Sequence, residues 1–506
     1  MTASAASLAP SNNPVFEDRA LLGQPRGLAL LFLAEMWERF SYYGMRSLLV
    51  LYLVNELKWS DASATSLYGT YTGLVWLTPI FGGYIADRFI GTRRSLVLGA
   101  SVISAGHFVL AMQSMATFYV GLALVIIGTG FFKPNVSTMV GQMYKEGDPR
   151  RDAGFTVFYM GINTGAFIAP FICGTLGQRV GWHYGFGAAG VGMLIGLAMY
   201  LYARDKYLPG IGTTPTQVAR ATATADATSG GMNPMHGVIG GVLGLVVGWL
   251  GSGGNWFGVL MGGTVGAALG LSVLGSHGEE RKRVIALFIV VFFVIFFWMA
   301  YEQAGSSMNI FADRYTDLKL GSFEIPSSWF QSAPPLFVLL FSIPVAAVWR
   351  SLNKKGLEPS TPMKMVWGLA ILGASFAAMY LAGRAADACI AQVGAEQART
   401  NCHVASPTFL IATYFGNVIG ELLVSPIGLS YVTKVAPARF GSLLMGAFFL
   451  SNSAASKIGG YVAGLTERVP TQAQFWSIFI VTSVGAALVM LLLVPTLKRL
   501  TSSVKA

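Results

Sequence analysis

Of 506 residues, 54% are hydrophobic and only 11% carry charge, against about 25% charged in ordinary globular chains, so water-soluble domains of this size are excluded, and a soluble enzyme with them. The 34 Lys and Arg against 23 Asp and Glu leave a net charge of +11. In a bilayer protein that excess marks cytoplasmic loops, and no nucleic-acid partner is expected. Three cysteines are too few for a disulfide scaffold or a thiolate metal cluster.

The expected fold is therefore all-α and integral to the membrane. Residues 1–26 are polar and include Glu17, Asp18 and Arg19, which reads as a cytoplasmic tail without a cleavable signal peptide. Beyond it, stretches of the roughly 20 mostly apolar residues that cross a bilayer as a helix recur along the chain. Six lie in 27–203: Gly27 to Asn55, Ser66 to Ala86, Leu96 to Met115, Phe118 to Met143, Gly154 to Gln178 and Trp182 to Tyr202. Two lie in 204–280, Met232 to Gly251 and Asn255 to Gly275. Six more lie in 281–497: Val284 to Phe311, Ser328 to Trp349, Met363 to Leu381, Thr408 to Val432, Ser442 to Leu465 and Phe475 to Val494. That makes 14 spans, with 498–506 as a second cytoplasmic tail. With both termini inside, the inner loops hold 23 basic residues, Arg220 and Lys505 among them, and the outer loops only 7, including Arg314 and Arg399. That asymmetry sets the orientation.

Between Asp205 and Asn233 the chain is rich in Thr, Ala, Ser and Gly without periodicity, as a linker would be. The two spans after it carry no charge from Met232 to Ser276, and Gly237, Gly241, Gly244 and Gly248 offer a spacing at which helices can approach closely. This hairpin reads as a lipid-facing insertion. The remaining spans form two sets of six, the layout of a transporter whose site lies at the interface of two repeats.

Ionisable residues inside the spans are few, and each costs several kcal/mol, on the order of 2.5–3.5 by insertion scales, unless paired or facing a wet cavity. They are Glu35, Glu38, Arg39 and Arg46 in the first span, Lys133 in the fourth, Glu302 in the ninth, Glu421 in the twelfth and Lys457 in the thirteenth. Four acids balance four bases, as in a paired transport network or a structural salt-bridge core. In the first span, positions 35, 38, 39, 42, 43 and 46 recur at intervals of three and four and share one helix face. Arg46 stands about 10 Å farther out than Arg39 at 1.5 Å per residue, which suits a central site plus an outer gate formed with Glu302.

The first-span stretch Glu35-Met-Trp-Glu38-Arg39-Phe40-Ser-Tyr42-Tyr43-Gly44 resembles the ExxERFxYYG motif of the proton-coupled oligopeptide transporter family, a branch of the major facilitator superfamily. Further resemblances follow in order: Gly82 to Gly91 after the second span, Phe132-Lys133-Pro134-Asn135, Phe158 to Gly165, and Gly420-Glu421-Leu-Leu-Val-Ser425-Pro426. The resemblance implies a major facilitator fold, two six-helix bundles plus the inserted hairpin, importing di- and tripeptides with protons by alternating access. It implies that Arg39 and Lys133 hold the peptide carboxylate and that Glu421 and Asn163 hold its ammonium. Ser425 falls within the twelfth-span motif. Tyr42, Tyr43 and Trp298 would pack the variable side chains. Glu35, Glu38, Arg39 and Glu302 would couple protons, and Lys133 and Glu421 would pair when the peptide is absent. The chain departs from the family in having Tyr301-Glu302 where two acids are common, Pro334 where an amide is, and Phe448 where a tryptophan is. Gly69 stands where animal members have a histidine.

No Gly-x-x-x-x-Gly-Lys-Ser/Thr segment exists, so ATP is not the direct energy source and no cofactor beyond the coupling proton is expected. Desolvation favours the neutral carboxyl, so intramembrane glutamates can carry protons. His107, His183, His236, His277 and His403 are dispersed without ligand spacing, and no metal site is expected. Cys389 and Cys402 share one outer loop, where a disulfide and two free thiols both stand open. A facilitator for nitrate, a drug or a carboxylate is the rival reading; a membrane-embedded enzyme would need a nucleophile or metal cluster that the sequence lacks. A monomer in the bacterial inner membrane is expected.

Overall fold

The computed structural model describes residues 13–21, 23–145, 147–215, 233–394, 397, 398 and 401–503. The first twelve residues, most of the linker with Arg220, and Arg399 and Lys505 lie outside the described residues. Spans one to six are Arg26–Leu51, Asp61–Ile85, Thr92–Leu110, Met115–Gln142, Arg150–Ala169 and Trp182–Tyr207. Spans seven and eight are Pro234–Gly251 and Trp256–Leu269. Spans nine to fourteen are Gly278–Tyr301, Ala333–Lys354, Thr361–Val393, Pro407–Val435, Gly441–Ala463 and Gln472–Leu500. The face carrying the turn between spans one and two is called outer here, after the charge asymmetry.

Ten of these helical stretches are long and apolar enough to cross a membrane by length and composition alone. The first, second, third and thirteenth are not among them. The first carries the buried charges, and the others use Gly, Ser and Thr for close contact, as where Gly460 of the thirteenth meets the backbone of Gly69. Starts are capped as the sequence allows: Ser60 accepts from the Ser63 amide, Thr471 from Gln474, and Ser114 and Thr117 form a reciprocal capping box.

Each bundle buries its own core. Spans nine to fourteen enclose one continuous cluster that includes Phe297, Phe376, Trp476 and Phe479. The first six enclose an inner cluster around Leu28, Phe132 and Tyr200 and an outer one around Met45, Tyr71, Phe118 and Phe186.

Three expectations are corrected. The ninth span, read as continuous to Phe311, breaks into a tight 3-10 turn at Glu302–Gly305 and restarts as Ser307–Tyr315. Gly305 permits the break, since a Cβ there would strike the Tyr68 hydroxyl and come within 2.8 Å of Arg46 Nε. The eleventh span runs to Val393, twelve residues past the expected Leu381, because it ends only at Gly394, whose φ of +84° stops a helix. The glycine row of the inserted hairpin is Gly240, Gly244 and Gly248, each so near the eighth span that a Cβ would strike the backbone of Gly266, Gly262 or Gly258. Gly241 lies off that contact, because residues four apart share a face and 237 and 241 fall on the neighbouring row.

The seventh span exposes Val242, Val246, Val247 and Leu250, whereas Phe257 and Met261 of the eighth pack on Leu77 of the second and Leu450 of the thirteenth. The insertion therefore touches both bundles along one seam. On the outer face Cys389 and Cys402 form a disulfide across 13 residues of sequence. The chain beyond it bonds back to the ninth span through the Val404 and Ala405 amides on the Tyr315 carbonyl.

Candidate functional site

The helical repeat places the first span's polar face between the bundles. Arg39 meets Glu35 at 3.2 Å and donates to Glu38 through both Nε and Nη2, the latter at 2.6 Å. All three are almost wholly buried, at 4%, 2% and 1% exposure, and the guanidinium lies over the Tyr42 ring at 5.1 Å. One cation thus serves two carboxylates, and Glu35 Oε2 has no partner among the described residues.

About two turns farther out, Arg46 reaches across the bundles. Its Nη2 donates to Glu302 at 2.8 Å and its Nε to the Tyr68 hydroxyl at 2.6 Å, and it sits over the Tyr43 ring at 5.5 Å. Other cross-bundle contacts surround this pair. Arg314 grips Asp61 with two bonds of 2.6 and 2.8 Å. Asn309 donates to the Ser47 carbonyl at 2.9 Å, Asn55 to Asp313 at 2.8 Å, and Ser328 to Gln178 at 2.6 Å. The outer end is sealed by these groups. Sequence reading placed Arg314 in a loop and passed over Asp61, Tyr68 and Asp313, since partners 253 residues apart leave no periodic signal.

The central charges behave otherwise. Lys133 and Glu421 were expected to pair in the empty site, and here they do not. The Lys133 ammonium lies over the Trp76 ring, 3.3 Å from its centroid, and that ring stacks on Phe449 of the thirteenth span. Glu421 Oε2 accepts from the Tyr301 hydroxyl at 2.5 Å. Each charge has found a neutral partner on its own bundle, which needs no closure of the space between them. Lys133, Glu421, Tyr43, Tyr301 and Ser425 are half-buried at mid-depth, so they line a space between the bundles. Tyr159 is exposed on the same side, and Asn163 is turned back to donate to its carbonyl at 3.0 Å. Ser425 Oγ and the Trp298 indole N–H have no partner among the described residues, and the Trp298 ring meets Tyr301 edge-on at 5.1 Å.

Lys457 likewise takes neutral partners, Thr70 at 2.6 Å and Ser66 at 3.4 Å on the second span. The balance of four acids and four bases is therefore not a set of four ion pairs. Three charges, Lys133, Glu421 and Lys457, have no ion-pair partner among the described residues. Among those residues no group of His, Cys, Asp and Glu is placed to hold a metal. Of the histidines, His107 is fully buried and bonded to Ser41 at 2.6 Å.

The sequence profile of the POT family matches residues 93–230 and 269–478. The chain belongs to this family. A transporter of Bacillus subtilis (strain 168), YclF, is 37% identical over 504 residues, 95% of this chain and 96% of that one. The POT-family resemblance extends to a di-/tripeptide transporter of Lactococcus lactis subsp. cremoris, 33% identical over 96% of this chain and 99% of the relative. Among solved structures, a POT family transporter in complex with a thioalcohol-conjugated peptide superposes with a TM-score of 0.78 at 30% identity, covering 96% and 99% of the two chains. The protein is thus a transporter-family membrane protein of the major facilitator fold, with two six-helix bundles and an inserted hairpin.

Proposed function

We propose that this protein is a proton-driven symporter that imports di- and tripeptides across the bacterial inner membrane by alternating access, as a monomer with both termini cytoplasmic. Residues 27–203 and 281–497 are the two rocking bundles, and 204–280 the linker and inserted hairpin. One observation carries the reading: Lys133 on one bundle and Glu421 on the other are each half-buried within their spans and each hold a charge against a neutral partner only. A zwitterion presents a carboxylate and an ammonium at opposite ends and can satisfy both, whatever side chains lie between. The relative of Lactococcus lactis named for di- and tripeptides supports the substrate class.

In this scheme Arg39 and Lys133 take the carboxylate, Glu421 and Asn163 the ammonium, and Tyr42, Tyr43, Trp298 and Ser425 line the pocket. Protonation of Glu35 or Glu38 loosens Arg39 from its two carboxylates and frees it for the peptide. Protonation of Glu302 from outside weakens its pair with Arg46 and lets the outer end open. Dialanine counterflow in proteoliposomes tests the function. Labelled dialanine should accumulate against an unlabelled pool, and an inward pH gradient should drive net uptake that a protonophore abolishes. Absence of counterflow above empty vesicles overturns peptide transport, and uptake indifferent to the protonophore overturns proton coupling.

A further inference from the structure

Resting on the peptide-symport reading, we infer that Tyr301 is a positioning residue that holds Glu421 on its own bundle, with its charge intact, in the orientation that receives the peptide's ammonium. The tyrosine hydroxyl takes Glu421 Oε2 at 2.5 Å and leaves Oε1 without a hydrogen bond among the described residues. Its ring cannot swing freely, being stacked on Phe297 at 5.9 Å and edge-on to Trp298 at 5.1 Å. The anchor is therefore held in place, and one carboxylate oxygen is left open to a further donor.

The donor is neutral, which decides what the anchor does. A phenol O–H satisfies a carboxylate without cancelling its charge, so Glu421 keeps its attraction for an ammonium. Charge-assisted bonds are about twice as strong as neutral ones, so an arriving ammonium at Oε1 adds to the anchor rather than contending with a cation already in place. Without the hydroxyl, the Glu421 carboxylate has no hydrogen-bond partner among the described residues and is no longer held in one orientation. An arriving ammonium would then have to fix the carboxylate's orientation as part of binding. The Lys133 side is arranged in parallel, with the ammonium held on the Trp76 ring.

The test compares two competitors of labelled dialanine uptake in proteoliposomes: dialanine itself and N-acetyl-dialaninamide, which is blocked at both ends. Tyr301→Phe keeps the ring and loses only the hydroxyl. Loss of a hydrogen bond to a charged group predicts a rise of about tenfold in the concentration of dialanine needed for half inhibition. The blocked peptide, which uses neither charge, should compete as it does against the unaltered protein, and kcat should stay within about twofold because the bond acts on binding rather than turnover. A merely structural role would weaken both competitors together. Equal shifts for both, or no shift for dialanine, overturn the inference. Tyr301→Gln restores a neutral donor and should keep the dialanine value within about threefold of the unaltered protein; a loss as large as in Tyr301→Phe also overturns it. If the unaltered protein takes up no dialanine, the symport reading falls first, a result separable from either variant outcome.

Discussion

The outer end and the centre of this transporter solve the same problem in opposite ways. At the outer end, buried charges are paired across the bundles: Arg46 with Glu302 and Arg314 with Asp61. At the centre, Lys133 and Glu421 are each held within their own bundle by an aromatic group. Charges paired across an interface hold it closed, because opening would strand two ions. Charges satisfied within a bundle leave the interface free to move and stay available to a ligand. On the proposed function, the contrast divides the charges into a latch and a recognition site.

The largest effect should come from breaking the latch. Glu302→Gln leaves Arg46 buried beside a neutral amide, and breaking a buried pair costs about 3–5 kcal/mol, roughly two to three and a half orders of magnitude in the closed-to-open ratio at about 1.4 kcal/mol per tenfold. External labelling of a cysteine placed near the cavity should rise strongly and the pH dependence of uptake should flatten. Labelling unchanged at both acid and neutral pH would make the pair a static tie.

At the centre, Lys133→Ala should remove transport but leave weak binding indifferent to the peptide's carboxyl end. Amidating that end should weaken binding to the unaltered protein about ten- to a hundredfold, the worth of a hydrogen bond to a charged group, and weaken binding to Lys133→Ala little. Competition binding in detergent would measure both, and equal losses would remove Lys133 from the carboxylate site.

A smaller change is expected from Asp61→Asn. This pair lies at the first residue of the second span, near the outer rim, and an asparagine can still accept from Arg314. An outward bias of roughly 1 kcal/mol fits a buried pair that loses its charge but keeps a hydrogen bond. The same labelling assay should place it well below Glu302→Gln, and the reverse order would move the main latch to Asp61 and Arg314.

The smallest effect lies far from both regions, in the inner loop before the fifth span. Arg150 donates to Asp148 at 2.7 Å and to the Phe16 carbonyl at 2.7 Å, tying the amino-terminal segment to that loop. The hydrogen bond from Arg150 holds the Asp148 carboxyl below its ordinary value. Its stabilisation is therefore complete above the ordinary carboxylate range and lost as pH falls through the lowered folded-state value. The melting temperature of the solubilised protein should show a small decline there, absent in Asp148→Asn. Identical acid limbs in the two proteins would exclude the contribution.

Much of this was legible in the sequence. Bilayer thickness sets span length, so hydropathy finds the spans. The helical repeat puts Glu35, Glu38, Arg39 and Arg46 on one face, so their common exposure to the interface follows from spacing alone. Even the Arg46–Glu302 contact could be reached by counting rise along two helices. Less legible were the partners of Lys133, Glu421 and Lys457, which are an indole ring, a phenol and a pair of hydroxyls. Charge balance points a reader toward ion pairs, and neutral partners carry no charge signal to be counted.

By itself, the sequence determined the environment, the number of spans and the residues that must leave the lipid, because each depends on composition or on regular spacing along a helix, while the family was legible in the resemblance of the Glu35 to Gly44 stretch to a known motif. Only the tertiary structure decided which buried charge faces which group. Arg314 meets Asp61 across 253 residues, and the ninth span breaks at Glu302 because Gly305 must fit against Tyr68 and Arg46. Such choices turn on separations of a few ångströms between helices, over which electrostatic and hydrogen-bond energies change steeply, and nothing local in the chain encodes them.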